Sequence, residues 1–254
     1  MTRQPRLLTI MAHPDDAESY CGGTLALLAD RGWRIRVGLL TGGEYGTVSA
    51  SCEETRETRL RESEIGAKIM GADLAWVGIH DLEVVYSPEN LKLTVDLLRD
   101  FKPDIVLTTS PECYHVDHQE AARLAWVACF AAGAPKLETK LPPLDTPIPH
   151  LYYCEPTHGI DRYGNPIIGS LHIDIEEGFE RRQQAFASHE SQSAWLDAHH
   201  GSGSLLDSNR HSAERIGKLC GVKYAESFRQ HLTEPFPTDN LLADVLAPYV
   251  KQLV

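Results

Sequence analysis

Apolar runs alternate with stretches of helical period along the first half of the chain. Leu7-Leu8-Thr9-Ile10-Met11-Ala12 is a short apolar run and reads as a buried strand. It breaks at Pro14, and an apolar helical pattern follows from Cys21-Gly22-Gly23 through Leu28 to about Asp30, with Asp15 or Asp16 placed to cap it. Gly32 ends that helix. Residues 34–40 alternate into a second strand, and Thr41-Gly42-Gly43-Glu44-Tyr45-Gly46 is a glycine-rich loop at its carboxyl end. A highly charged helix is expected from about Glu53 to Met70, then a strand over 74–77. Ser87-Pro88-Glu89 is a cap with proline at the first helical position, and its helix reaches Phe101. Residues 104–109 form a fourth strand, and a helix runs from about His118 through Phe130. Strands alternating with helices predict βαβ units.

The second half is less regular. Residues 133–149 carry five prolines and read as a loop or lid. Strands are expected at 151–154 and 171–175, and a helix over about Glu176 to His189. Ser191 to Arg210, rich in Ser, Gly and His, reads as a mobile loop near the site or an interface; short helices are placed near Ala213–Leu219 and Asn240–Leu253. Neither a Gly/Ser-rich linker nor an internal repeat divides the pattern. The 254 residues therefore read as one α/β domain, with a mostly parallel central sheet.

Composition changes this picture little. The chain is 42% apolar and 24% charged. A formal charge of −12 argues against a nucleic-acid backbone or anionic membrane surface as main partner. No apolar run approaches the roughly 20 residues that span a bilayer, and Met1–Arg6 is too short and polar for a signal peptide. Six scattered cysteines without a Cys-x-x-Cys pair suit reduced thiols in a cytoplasm.

The chemistry gathers at two places. His13-Pro14-Asp15-Asp16 follows the first strand, and His115-Val116-Asp117-His118 follows the fourth. Both clusters can share one rim of a sheet, where open α/β folds bind ligands. A catalytic zinc site has three protein ligands and an open position. His13, Asp16 and His118 supply two imidazoles and a carboxylate. Asp15 remains free to take a proton from metal-activated water. His115 lies within reach of the same pocket as an acid or transition-state donor, and Asp117 is expected to hold its ring and raise its pKa. Cys113 reads as packing, and His199, His200 and His211 as surface groups.

These residues resemble a known family. Ala12-His13-Pro14-Asp15-Asp16-Ala17-Glu18 with Gly22-Gly23-Thr24 is similar to the signature of the LmbE-like, or PIG-L-like, zinc-dependent deacetylases. So are Thr41-Gly42-Gly43-Glu44, Arg59-x-x-Glu62 leading to Met70-Gly71, and His115-x-x-His118. Ser188-His189-Glu190-Ser191-Gln192 and Lys223-Tyr224-Ala225-Glu226-Ser227-Phe228 extend the resemblance over most of the chain. It implies a Rossmann-like three-layer sandwich and one zinc ion (Fe2+ being an alternative) on His13, Asp16 and His118. Asp15 is then general base, and His115 assists the transition state. The implied reaction removes an N-acetyl group from a glucosamine-type sugar or conjugate. Arg59, and less directly Glu44 and Asp81, would contact the sugar, and the chain would assemble as a trimer or hexamer. Without that resemblance Arg59 reads as half of a solvated ion pair on a charged helix, Glu44 as a turn residue and Asp81 as a cap.

Two rival functions remain at this level. A non-haem iron oxygenase uses the same donor types, but usually as His-x-Asp on a β-barrel, and has no need of Asp15. A non-catalytic sugar- or nucleotide-binding module would use Gly42-Gly43, but that loop lacks a full Gly-x-Gly-x-x-Gly.

Overall fold

A computed structural model describes residues 3–192 and 205–254. Eight strands form one sheet in the order β3-β2-β1-β4-β5-β7-β6-β8. Strands β1 (Arg6–Met11), β2 (Arg34–Thr41), β3 (Ala72–Ile79), β4 (Ile105–Thr108) and β5 (His150–Cys154) are parallel. Strand β7 (Ala225–Gln230) runs antiparallel to β5 and to β6 (Leu171–Asp174), and the two-residue β8 (Val250–Lys251) closes the far edge.

Adjacent residues of β1 point to opposite faces, which makes the fold three layers deep. Leu7 packs with Leu25, Val37 and Leu107 beneath α1 (Asp16–Asp30), α2 (Cys52–Met70) and α5 (Phe179–Ala187). Leu8 packs with Val95, Leu98 and Val106 beneath α3 (Pro88–Phe101) and α4 (Val116–Ala131). Local chemistry sets the helix ends. A capping box between Ser51 and Glu54 starts α2, and Gly71, at a φ of 81°, stops it. Ser87 caps α3 ahead of Pro88 as expected.

One device ties the late sheet to the first helix. Glu226 of β7 accepts the N–H groups of Gly23 (2.9 Å) and Thr24 (2.8 Å) inside α1. Arg182 of α5 lies 3.3 Å from Glu226 and donates to the carbonyls of Glu18 and Ser19. Gly23 N–H and Ser19 C=O, an i,i+4 pair, thus each take a side-chain partner. A Cβ on Gly23 would stand 2.7 Å from Ile175, so the approach needs glycine.

Four sequence expectations change. The C-terminal helix is only α7 (Leu241–Val245), followed by a 3-10 turn and β8. Residues 205–210, expected as loop, open a 16-residue helix α6 (Leu205–Cys220) rather than a short one. Of the rest of that expected loop, Ser191 and Gln192 are helical, and 193–204, with His199 and His200, lies outside the described residues. Strand β7 had no apolar run to announce it. It buries the polar Glu226 and Ser227 on opposite faces of the sheet, and the tertiary partners in α1 and α5 are what satisfy Glu226 there. The helix expected from Glu176 begins at Phe179, because Asp174 instead accepts the Glu176 N–H in a turn.

Candidate active site

Strand order reverses between β1 and β4, the two central neighbours. Their carboxyl ends form the switch point where ligands bind in such sheets. His13 follows β1 and His118 sits in the first turn of α4, so the switch point brings them together across 105 residues.

His13 Nδ1 stands 3.2 Å from His118 Nε2. The Asp16 carboxylate lies 3.3 Å from His118 Nε2 and 3.7 Å from His13 Nδ1, and it accepts the His13 backbone N–H at 2.9 Å. Donors about 2.0–2.1 Å from a tetrahedral zinc stand roughly 3.3 Å from one another, so this cradle has the right size. Its electrostatics point the same way. Burial disfavours charge on His13, but Asp117, Asp81 and Asp16 outweigh it and raise the pKa to about 9. Burial likewise opposes charge on His118, and Asp16 with Cys113 lifts it to about 10. Burial works against the Asp16 carboxylate, yet the two histidines hold its pKa far below the usual range. A buried anionic pocket whose two ring nitrogens face each other at 3.2 Å suits one shared cation better than two protons. The ring nitrogens of His13, His115 and His118 also lie within 4.8 Å of one another, which places His115 beside the cradle.

The other nitrogen of each ring is held too. His13 Nε2 lies 3.2 Å from both Asp117 Oδ2 and Asp81 Oδ1. That fixes its proton on Nε2 and leaves Nδ1 as a donor for metal. Asp117 Oδ2 also accepts the Leu82 N–H at 2.8 Å. The expected role of Asp117 is therefore corrected: its carboxylate attends His13, not His115. Only its backbone N–H reaches His115, donating to Nδ1 at 3.2 Å. The His115 proton accordingly sits on Nε2. Burial and the neighbouring His13 and His118 charges keep the pKa of His115 below its usual value, not above it.

Asp15 occupies the helix N-cap position at a φ of 95°, yet its side chain caps nothing. A non-glycine residue held there carries strain, a pattern that clusters at functional sites. Its carboxylate lies on the cavity wall, 3.3 Å from Arg59 Nη2. Burial raises its pKa, against the opposing charges of Arg59 and His189. Arg59 is not a solvated residue of a charged helix. It is buried and donates to the carbonyls of Gly43 (2.7 Å) and Pro14 (2.9 Å), locking the glycine-rich loop against the turn that carries Asp15.

Asp81 borders the cavity but is engaged with His13 and with the Tyr45 N–H. Glu44 is buried, 2.7 Å from His80 Nδ1, and is not among the residues lining the cavity. The cavity, about 430 Å³, has walls of His13, Asp15, Asp16, Arg59, His115 and His118, with Tyr20, Tyr45, Tyr114 and Leu82 around them. That size suits a small ligand.

Sequence reasoning passed over Tyr20 and underrated Cys113. Tyr20 is four residues after Asp16, on the same face of α1, and that spacing was the available signal. Cys113 is not mere packing: its Sγ lies 3.2 Å from His118 Nδ1. Burial would raise its pKa, but His118 pulls it down to about 7. His189, left out of the site, is buried with Nε2 3.3 Å from Glu18 Oε1. All six cysteines are free. Among the described residues no helix is long and apolar enough to cross a membrane.

Residues 8–129 match the family model described as PIG-L, GlcNAc-PI de-N-acetylase. The chain is 30% identical to the diacetylchitobiose deacetylase of Thermococcus kodakarensis, over 88% of this chain and 82% of that one. It is 29% identical to the 4-oxalmesaconate hydratase of Pseudomonas putida, over 52% of this chain and 54% of that one. Among solved structures, the N,N'-diacetylchitobiose deacetylase of Pyrococcus horikoshii superimposes with a TM-score of 0.75 at 25% identity, covering 91% of this chain and 86% of that chain. The chain belongs to the PIG-L (LmbE-like) family.

Proposed function

We propose that this protein is a metal-dependent deacetylase. It hydrolyses the N-acetyl group of an N-acetylglucosamine-type sugar or glucosamine conjugate to acetate and an amine. The observation that carries this reading is the convergence of His13 Nδ1, His118 Nε2 and the Asp16 carboxylate, with Asp15 left unligated on the same cavity wall. The deacetylases similar to this chain support the amide as substrate. Zinc suits two imidazoles and a carboxylate, and Fe2+ is the alternative occupant.

His13, Asp16 and His118 would hold the ion, which would supply Lewis acidity toward the amide carbonyl and a water of lowered pKa. The chain's own groups do the rest. Asp15 accepts the proton of the attacking water as the C–O bond forms. It then returns that proton to the nitrogen as the C–N bond breaks, and its raised pKa suits both transfers. Arg59 keeps the Asp15 carboxylate turned to the cavity. His115, neutral with its proton on Nε2, donates a hydrogen bond to the oxygen that gains charge at the tetrahedral carbon. Asp117 and Asp81 hold the His13 ring. Tyr45, Tyr114 and Leu82 at the cavity wall give the sugar an apolar face to lie against. Assembly as a trimer or hexamer and a place in the cytoplasm belong to the same proposal.

The relative named as a hydratase favours a second reading, water addition to an unsaturated carboxylic acid. Such a substrate needs cationic anchors. The described lining offers one guanidinium, Arg59, already committed to two carbonyls and Asp15, beside three carboxylates. The deciding experiment measures acetate from a panel of N-acetylated sugars and conjugates, with zinc-loaded and chelated protein, next to hydration of an unsaturated dicarboxylate. Acetate release that stops on chelation is expected. Hydration without any acetate release refutes the proposal.

A further inference from the structure

We infer that Cys113 is a positioning residue that holds His118 in the tautomer able to bind metal, an inference resting on the metal-site reading above. The two histidines of the cradle are held in unlike ways. The outer nitrogen of His13 faces two carboxylates at 3.2 Å. The outer nitrogen of His118, Nδ1, faces the Cys113 thiol at 3.2 Å and the Tyr20 hydroxyl at 3.5 Å, its partners among the described residues.

Nε2 of His118 must carry a lone pair toward Asp16 and His13 for the ring to ligate. The ring proton then sits on Nδ1 and needs an acceptor. The Tyr20 hydroxyl is the poorer one, at the limit of hydrogen-bond distance and tied to Thr157 Oγ1 at 2.6 Å. The Cys113 sulfur is nearer, and its own backbone pins it. Its N–H donates to the Ser110 carbonyl at 3.2 Å, and its carbonyl accepts from the Gln119 side-chain amide at 2.6 Å. The thiol is buried, so bulk water does not compete for the ring proton. Nδ1 and Nε2 lie on opposite edges of the imidazole. Cys113 therefore orients the ring from behind and does not share the ion.

The test is metal affinity, read by competition with a chromophoric chelator for zinc, independently of turnover. Cys113→Ala should weaken zinc binding about tenfold or more, in the range of other lost outer partners of metal ligands. The chelated protein should melt somewhat lower, because a buried thiol is lost, and the rise in melting temperature on adding zinc should shrink as well, a change that a merely structural thiol would not cause. Cys113→Ser, which keeps an acceptor on a shorter arm, should recover part of the affinity. Tyr20→Phe should cost less than Cys113→Ala. Zinc affinity of Cys113→Ala within twofold of wild type overturns the inference, as does a larger loss in Tyr20→Phe. Wild-type protein that binds no zinc removes the metal-site reading itself, which is a separate outcome.

Discussion

Asp15 combines two properties that a paired substitution separates. Its backbone sits at a φ of 95°, and its side chain is the carboxylate proposed to move the proton. Asp15→Ala and Asp15→Gly both remove the carboxylate, so the loss of its buried charge and of the Arg59 contact is common to both and cancels between them. What differs is the backbone. Alanine at positive φ costs roughly 1–2 kcal/mol that glycine does not. Glycine in turn loses about 0.4–1 kcal/mol more through the entropy of its unfolded chain. The net expectation is that Asp15→Gly is more stable than Asp15→Ala by about 0.5–1 kcal/mol. Turnover should fall about 10²–10⁴-fold in both, the usual contribution of a general base, while zinc content stays at the wild-type level. Urea denaturation of the chelated proteins measures the first quantity, and acetate release with metal analysis measures the others. If Asp15→Gly is no more stable than Asp15→Ala, the backbone is not strained. If either variant keeps wild-type turnover, Asp15 is not the base.

His115→Gln should lower kcat about 10²–10³-fold, as loss of an oxyanion donor does, without lowering metal content; loss of metal would make His115 a ligand instead. Arg59→Met strips the buried Pro14 carbonyl of its donor and leaves Gly43 only the Gly46 N–H, so it should cost about 1–3 kcal/mol in urea unfolding, with under about 0.5 kcal/mol refuting its role as a brace. The pH dependence follows from the raised folded-state pKa values of His13 and His118, about 9 and about 10. Both exceed the unfolded value of about 6.5, so in metal-free protein their stabilising contribution is complete below that pH. It disappears as pH rises through about 9–10. Metal must displace the same protons, so apparent zinc affinity should climb over that window. Unfolding and chelator titrations on wild type and His118→Gln check both, and a pH-independent affinity contradicts the assignment.

Sequence alone determined the alternation of strand and helix as far as α4, because apolar period, the Ser87-Pro88 cap and the glycine stops act within a few residues. It also determined which residue types stand at the ends of β1 and β4. Tertiary structure decided what those residues face. His13 and His118 meet because β1 lies beside β4, a pairing that no local period encodes. Neighbours on a helix diverge by about 100°, so Asp117 and His118 cannot turn the same way. The fold sent Asp117 to His13, whereas sequence proximity had suggested His115. Arg59 looked solvated because its helix is charged, and it proved buried because one face of that helix closes over the glycine-rich loop. Strand β7 stayed hidden for the same reason: Glu226 satisfies α1 and Arg182 from across the sheet, and polar residues with distant partners leave no apolar trace in their own neighbourhood.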